Sequence, residues 1–146
     1  MKLRVMLADD HAMYRDALSL FLNTQADIEV VAQAADGYEV LERVGETRPE
    51  VICMDIGMRG LDGIETTRQL LRDRPEVKVI GLSAHADLSR VADMVSAGAL
   101  GYVLKGSLAA ELLAAIRMVS QSQSYFDPAL GVRDIADLAP YWTRAP

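Results

Sequence analysis

The feature that most constrains this chain is the alternation of short apolar runs with segments that repeat apolar residues at helical spacing. Five runs rich in β-branched and other apolar residues stand at positions 3–8, 28–34, 51–54, 77–82 and 100–104. Each run is followed by a segment in which apolar residues recur every three or four positions, as Tyr14, Leu18 and Phe21 do in the first. This alternation predicts a parallel sheet that is covered by helices on both faces.

Polar side chains stand at the carboxyl ends of four of the five predicted strands. Asp9 and Asp10 follow the first run and Asp55 follows the third, while Ser83 and Lys105 follow the fourth and fifth. In open parallel sheets, ligand sites form beyond the carboxyl ends of the strands, where the strand order reverses. If the order is 2-1-3-4-5, the first and third strands are neighbours at that reversal. Three carboxylates then converge on one crevice.

A crevice that holds three carboxylates needs a cation. A few hard oxygen ligands with room for water suit Mg²⁺, whereas zinc would want histidine or cysteine ligands. Lys105 would be a fixed positive partner, and Ser83 a hydroxyl donor across the site. The alternative for any single aspartate at a strand end is an N-cap of the next helix, and His11 fits a helix start better than a ligand. N-capping does not account for all five strand-end residues together.

Composition excludes several classes of protein. The chain has 146 residues, of which 51% are hydrophobic and 25% charged, so it is long enough for one globular domain with a core. Its net charge of −6 argues against a surface built to hold nucleic acid. The apolar runs are too short for a membrane span and the first residues do not resemble a signal peptide, so we expect a cytoplasmic protein. The single cysteine, Cys53, cannot form an internal disulfide and is expected in the core.

Five motifs stand in a fixed order along the chain: ADDH at 8–11, MDIGM at 54–58, GLDGIE at 60–65, LSAH at 82–85 and AGALGYVLK at 97–105. In this order and spacing they resemble the receiver domain of two-component response regulators. The segments GYVLK and ELLAAIR, at 101–105 and 111–117, are similar to the NarL/LuxR subfamily in particular. The resemblance implies a flavodoxin-like, doubly wound α/β fold over residues 1–126, with a five-stranded parallel sheet in the order 2-1-3-4-5 and five helices.

The resemblance also implies a phosphoacceptor and a metal site. Asp55 would accept a phosphoryl group from a sensor histidine kinase. Asp10 and Asp55 would bind Mg²⁺ directly with the carbonyl group of Gly57, and Asp9 would act mainly through water. A carboxylate suits this role because it is ionised at neutral pH and needs no general base. Such a domain is not a conventional enzyme, since it catalyses only its own phosphorylation and dephosphorylation.

Three more residues receive roles from the resemblance. Lys105 would pair with the phosphoryl oxygens, Ser83 would hydrogen-bond the phosphorylated aspartate, and Tyr102 would turn inward when it does. A metal and a lysine together neutralise the charge that phosphoryl transfer spreads over three oxygens. The chain departs from the family pattern at Arg59, where proline is usual, and this puts a second cation near the site. Gly57 offers no side chain to shield an acyl phosphate from water.

We expect residues 127–146 to be a C-terminal tail or linker remnant without a complete DNA-binding domain. NarL/LuxR-like regulators carry a four-helix DNA-binding domain after the receiver, and this tail is too short for one. Arg133 and Arg144 are balanced by Asp134 and Asp137, so we expect no direct nucleic-acid binding by this chain. Either the chain is an excised receiver whose full-length protein regulates transcription, or it is a stand-alone receiver that acts through protein contacts.

The first and fifth helices predict a partner surface. Met13 and Leu20 on the first helix, with Leu113 and Met118 on the fifth, lie outside the faces that the sheet would bury. The two helices should pack side by side on one face, which predicts a homodimer favoured by phosphorylation. In the alternative, the tail folds back over this patch and covers it with three residues: Ile135, Leu138 and Trp142.

Two other classes of function fit parts of the pattern. A Mg²⁺-dependent aspartyl-phosphate hydrolase would need a second aspartate two residues after the nucleophile, where Gly57 stands. A flavodoxin-like binding module that never takes phosphate would be indicated by a missing acidic or lysine position, and none is missing. Incubation with acetyl phosphate and Mg²⁺ separates these classes.

Overall fold

The computed structural model describes residues 1–142 and contains a parallel sheet of six strands. The strands are β1 (Leu3–Ala8), β2 (Ile28–Ala34), β3 (Val51–Asp55), β4 (Lys78–Ser83), β5 (Gly101–Leu104) and β6 (Tyr125–Phe126). The helices are α1 (Ala12–Asn23), α2 (Gly37–Thr47), α3 (Gly63–Asp73), α4 (Leu88–Ser96) and α5 (Ala109–Ser120). Two 3₁₀ helices follow, at Pro128–Leu130 and at Ile135–Tyr141, and we call the second one the tail helix.

The sheet has the order β2-β1-β3-β4-β5-β6, and every neighbouring pair is parallel. The predicted fold class and the order of the first five strands are therefore confirmed. The sixth strand was not predicted, because a two-residue strand is too short to produce a periodic pattern. It is held beside β5 by backbone hydrogen bonds from Tyr125 to Leu100 (3.2 Å) and from Asp127 to Tyr102 (2.9 Å).

The helices divide between the two faces of the sheet. On one face α1 and α5 pack together, and their buried leucines include Leu18, Leu22 and Leu112. On the other face α2, α3 and α4 cover a second core cluster, to which Val40 and Met94 contribute. Both faces of the central strands are thus removed from water, which explains why these strands are apolar without alternation.

The tail packs on the face of α2, α3 and α4 and not on the face of α1 and α5. The tail helix contacts α4, and Leu138 is fully buried in the core cluster of that face together with Leu130 and Val132. The alternative in which the tail covers α1 and α5 is therefore wrong. The physical reason is that β6 extends the sheet beyond β5, and Asp127 then turns the chain at the carboxyl end of β5 toward α4.

The partner surface predicted on α1 and α5 is open in this structure. Met13 is 87% exposed and Leu20 is 74% exposed, while Met118 is 38% exposed. Leu113 differs from the prediction, because it is only partly exposed and packs against the core cluster beneath α5. Within residues 1–142, no helix combines the length and the apolar character that crossing a membrane requires.

Candidate functional site

The topology brings the polar strand ends together at one edge of the sheet. Strands β1 and β3 are neighbours, and Asp55 is the last residue of β3. The loop after β3 is tied to β4 by a hydrogen bond from the Ile56 amide to the Leu82 carbonyl (3.0 Å). In the same way, the Lys105 amide donates to the Ser83 carbonyl (2.8 Å). The side chains that follow these strands therefore share one cleft, as the sequence predicts.

Gly63 allows α3 to begin directly against the end of β3. A Cβ atom at this position would lie 2.3 Å from the carbonyl oxygen of Asp55, which no real side chain tolerates. The Gly63 amide donates to the Ile56 carbonyl (3.2 Å) and closes the loop between the two elements. Close backbone approach, rather than unusual dihedral angles, therefore explains the glycine, and it sets the position of the loop that carries Gly57.

Lys105 joins two of the three carboxylates. Its Nζ lies 2.7 Å from Asp9 Oδ2 and 3.3 Å from Asp55 Oδ2, and all three side chains are largely buried. The ammonium group also lies 5.0 Å from the centre of the Tyr14 ring, within the range of a cation–π contact. One ammonium group shared by two buried carboxylates leaves the cleft with excess negative charge.

Asp10 and His11 complete the acidic side of the cleft. His11 Nδ1 lies 3.0 Å from Asp9 Oδ1 and 3.1 Å from Asp10 Oδ1. His11 is the residue that precedes the first turn of α1, as the sequence predicts. Its side chain makes no capping hydrogen bond to the helix. Ligand atoms from these three residues and from Asp55 all lie within 4.8 Å of one another.

This group of side chains fits a divalent metal ion. Asp10 Oδ1 is buried, and apart from the His11 ring at 3.1 Å, which makes no well-aligned hydrogen bond to it, it has no polar partner among the residues that the structure describes, so a cation would satisfy it. Carboxylate oxygens predominate, which favours a hard ion over a soft one. The predicted metal-binding carboxylates Asp9, Asp10 and Asp55 are therefore brought together, and the acidic cluster is compatible with a divalent cation.

Burial raises the pKa of the Asp55 carboxyl above its ordinary value. The hydrogen bond from the Gly57 amide (3.0 Å) lowers it, the negative charge of Asp9 raises it, and the ammonium group of Lys105 lowers it. The net shift is upward. A cation bound beside Asp55 would lower this pKa, because an opposite charge at short range favours the ionised form.

The cleft above these residues has a volume of about 380 Å³. Its lining includes predicted site residues, namely Asp55, Gly57, Ser83 and Lys105. It also includes five residues of the surrounding loops and one of α4: His11, Ile56, Ala84, His85, Asp87 and Arg90. The sequence places Arg59 near the site as a second cation, but Arg59 is exposed and is not among the lining residues, whereas Arg90 is.

Ser83 lines the cleft, and Tyr102 is buried close to it. Ser83 Oγ accepts a hydrogen bond from the His85 amide (3.1 Å). Tyr102 is fully buried against Gly81, where a Cβ atom would lie 2.8 Å from the ring. The ring is therefore turned inward in this structure, and only a glycine at position 81 leaves room for it. A movement of Tyr102 on phosphorylation stays a prediction.

Burial also raises the pKa of the Tyr102 phenol, whereas the nearby Ser83 hydroxyl lowers it. The phenol oxygen is buried and has no hydrogen-bond partner of ordinary geometry among residues 1–142. The phenol therefore keeps its proton, and its donor is unused among the described residues.

Two residues near the site were not found from the sequence. Arg90 belongs to a helix rather than to a strand end, and a single arginine in an amphipathic helix is no signal of function. Asp127 follows β6, and its carboxylate accepts hydrogen bonds from Leu104 N (2.9 Å), from Ala129 N (3.0 Å) and from the Ser107 hydroxyl. These bonds hold the backbone on both sides of Lys105, which is a positioning role that only the tertiary structure reveals.

The match to known proteins now decides the family. The protein-family model of the response regulator receiver domain matches residues 5–117, which are more than half of the chain. The chain belongs to the response regulator receiver family. The predicted resemblance, including its NarL/LuxR-like character, is confirmed.

Two curated relatives and one solved structure are similar to this chain over most of its length. The transcriptional regulatory protein LiaR of Bacillus subtilis is 46% identical over 121 residues, which are 83% of this chain and 57% of the relative. The response regulator VraR of Staphylococcus aureus is 37% identical over 133 residues, 91% of this chain and 64% of the relative. A LuxR-family response regulator from Aurantimonas sp. SI85-9A1 superposes with a TM-score of 0.87 at 30% identity, over 96% of this chain and 99% of that one.

The chain spans less than two thirds of the length of these two curated relatives. LiaR is named as a transcriptional regulatory protein and VraR as a response regulator.

Proposed function

We propose that this receiver domain accepts a phosphoryl group on Asp55 from a sensor histidine kinase and thereby switches a protein-interaction surface. The observation that carries the proposal is the arrangement of Lys105, whose ammonium group lies within 3.3 Å of Asp55 and 2.7 Å of Asp9 in a cleft at the carboxyl ends of the strands. A nucleophilic carboxylate beside a fixed cation is the arrangement that phosphoryl transfer requires.

The transfer forms one bond and breaks one bond. A carboxylate oxygen of Asp55 bonds to phosphorus while the bond from phosphorus to the donor imidazole nitrogen breaks, and the imidazole leaves with the electron pair. Lys105 stabilises the charge on the phosphoryl oxygens, and the Gly57 amide holds the Asp55 carboxylate in place by its hydrogen bond (3.0 Å). Hydrolysis of the acyl phosphate by water later regenerates Asp55, so the chain needs no separate active site for turnover.

Mg²⁺ is the proposed cofactor, and it would supply charge neutralisation for the phosphoryl oxygens. Asp10, Asp55 and the carbonyl group of Gly57 would hold it directly, and Asp9 would contribute mainly through water. The support is the gathering of the aspartates and the buried, unsatisfied oxygen of Asp10. Small hard cations with bound waters prefer this kind of oxygen site.

Ser83 and Tyr102 are the proposed switch residues. Ser83 would move toward the site and donate its hydroxyl to a phosphoryl oxygen, and Tyr102 would fill the space that Ser83 vacates. The buried ring of Tyr102 beside Gly81 supports a switch with two states, because this one side chain can either occupy the space beside Gly81 or move out of it.

The acceptor is tested with acetyl phosphate, Mg²⁺ and intact-protein mass spectrometry. We expect the wild-type chain to gain one phosphoryl group, and we expect chelation of Mg²⁺ with EDTA to prevent the gain. Asp55→Asn should show no modification, whereas the control Asp73→Asn, at an exposed position at the end of α3, should match the wild type. Modification of Asp55→Asn at the wild-type rate would overturn the assignment.

The same proposal includes a homodimer through α1 and α5 that phosphorylation favours. Support comes from Met13 and Leu20, which are largely exposed on α1, and from the exposed Met118 on α5, the helix that contacts α1. Light scattering should give a larger mass with beryllofluoride and Mg²⁺ than without them. Leu20→Glu should abolish this increase without unfolding the protein, since the side chain is exposed. Leu113→Glu is the poorer probe, because Leu113 packs against the core cluster beneath α5.

The output of the full-length protein belongs to this proposal as well. LiaR is named as a transcriptional regulatory protein, and this chain corresponds to 57% of its length. We propose that an attached effector would regulate transcription and that this chain itself does not bind nucleic acid. A cytoplasmic location stays a prediction from the sequence.

A further inference from the structure

Arg90 is a residue of the cleft that no part of the proposed mechanism uses. It lies in the first turn of α4 and lines the same cleft as Asp55, Ser83 and Lys105. Its position differs from that of the other site residues, because α4 begins at the wall of the cleft rather than at the end of a strand. A cationic side chain on a helix normally points to bulk water, so an arginine that lines a cleft indicates a specific role.

The guanidinium group of Arg90 lacks the partners that a structural arginine would have. Asp87 and Asp93 lie three residues to either side, a spacing at which opposite charges on a helix can pair. Neither forms an ion pair with Arg90 in the described part of the chain, and the buried Nε atom of Arg90 has no hydrogen-bond partner there. Leaving a buried, charged donor unsatisfied costs free energy. The side chain is thus held ready for an acceptor that enters the cleft.

A second unsatisfied donor lies close to Arg90. The Tyr102 phenol is buried without a hydrogen-bond partner, and the positive charge of Arg90 acts on its pKa in the direction opposite to burial. This electrostatic influence agrees with a guanidinium group near the phenol. Arg90 therefore presents an unused donor to the cleft, and the buried Tyr102 phenol lies near it.

The charge of the cleft indicates what this donor receives. Lys105 is the cation in contact with Asp9 and Asp55, and it already serves both carboxylates. A phosphoryl group on Asp55 would add about 1.5 to 2 negative charges at neutral pH. Its oxygens match the planar donors of a guanidinium group better than those of any other side chain.

We propose that Arg90 is a second phosphoryl-binding cation, which donates from its guanidinium group to a phosphoryl oxygen on Asp55 and so ties the start of α4 to the phosphorylated site. The proposal rests on the proposed function, since it requires Asp55 to be the acceptor. It adds a residue outside the strand ends to the site, and it connects phosphorylation directly to α4 and to the tail helix that packs on α4.

The test measures binding of beryllofluoride, a phosphoryl mimic, in the presence of Mg²⁺ by isothermal titration calorimetry. We expect Arg90→Gln to weaken binding about tenfold, because a hydrogen bond to a charged group is lost. Arg90→Lys should recover part of the affinity. The control Arg72→Gln changes an exposed arginine of α3 and should bind like the wild type. Binding of Mg²⁺ without beryllofluoride should not be weakened in any of these variants.

Fluorine NMR of bound beryllofluoride adds a readout that a merely structural role would not change. We expect the resonance of one fluorine atom to move in Arg90→Lys, while the resonances in Arg72→Gln match the wild type. Wild-type affinity in Arg90→Gln, or weaker Mg²⁺ binding in that variant, overturns the role of Arg90 and leaves the acceptor assignment intact. If the wild-type chain binds no beryllofluoride, the proposed function fails and this proposal fails with it.

Discussion

The two helical faces of the sheet differ in what covers their outermost apolar residues. On the face of α4, the tail places Leu138 in the core and buries it completely, with Leu130 and Val132 beside it. On the face of α1 and α5, Met13 and Leu20 remain largely exposed. Both faces carry apolar residues beyond those that pack the helices onto the sheet. Within residues 1–142, another segment of the chain covers such residues on the face of α4 and leaves Met13 and Leu20 exposed on the other face.

The difference teaches how one chain separates packing from recognition. Burial of Leu138 contributes to the stability of the receiver domain, since apolar area is removed from water within one molecule. Exposed Met13 and Leu20 contribute nothing of this kind, and a contiguous exposed patch is typical of an interaction surface. We therefore expect substitutions on the tail to affect unfolding and substitutions on α1 to affect association.

The largest effect is expected for Leu138→Ala. The change leaves a cavity under the tail helix and should lower the free energy of unfolding by about 2–3 kcal/mol, as truncation of buried leucines does. Urea denaturation followed by circular dichroism measures it. Ile135→Ala, at a partly exposed position of the same helix, is the control and should cost less than about 1 kcal/mol. Equal losses for both variants would mean that the tail does not dock through Leu138.

The second effect concerns Asp127, which anchors the tail beside Lys105. Burial acts to raise the pKa of the Asp127 carboxyl, but the hydrogen bonds from Ser107, Leu104 and Ala129 outweigh it, and the pKa lies below its ordinary value. A lowered pKa in the folded state stabilises the protein above the pKa of the unfolded chain, about 3.9. This stabilisation is lost as the pH falls through the folded-state pKa.

Asp127→Asn should therefore lower the free energy of unfolding by about 1 kcal/mol at pH near 7, and the difference from the wild type should shrink below pH of about 4. Urea titrations at several pH values measure both. Asp16→Asn, at an exposed position on α1, serves as the control and should follow the wild type throughout. A difference that stays constant on acidification would contradict the ionised, hydrogen-bonded anchor.

The smallest effect on stability is expected on the open face. Leu20→Ser should change the free energy of unfolding by less than about 0.5 kcal/mol, because the side chain is 74% exposed. A thermal melt of the protein, at a concentration low enough to keep it monomeric, measures this value. A loss as large as that of Leu138→Ala would show that the two faces are alike and that Leu20 is part of the monomer's packing.

The fold and most of the cleft follow from local patterns in the sequence. The apolar runs predict β1 to β5 within a few residues of their observed bounds, and the polar residues at their ends predict which side chains meet. These predictions succeed because the carboxyl ends of parallel strands necessarily lie at one edge of the sheet. Strand β6 and the docking of the tail are not predicted, because two residues and a short 3₁₀ helix carry too little periodicity.

Arg90 and Asp127 mark the limit of what the sequence by itself determines. The sequence alone determines the α/β class and the strand ends at which Asp9, Asp10, Asp55, Ser83 and Lys105 stand, since period and strand position are properties of neighbouring residues. The strand order is implied only by the resemblance to the receiver family. Only the tertiary structure decides that α4 brings Arg90 into the cleft and that Asp127 holds the segment around Lys105. These contacts join residues far apart in the chain, and their free energy depends on packing that no local pattern encodes.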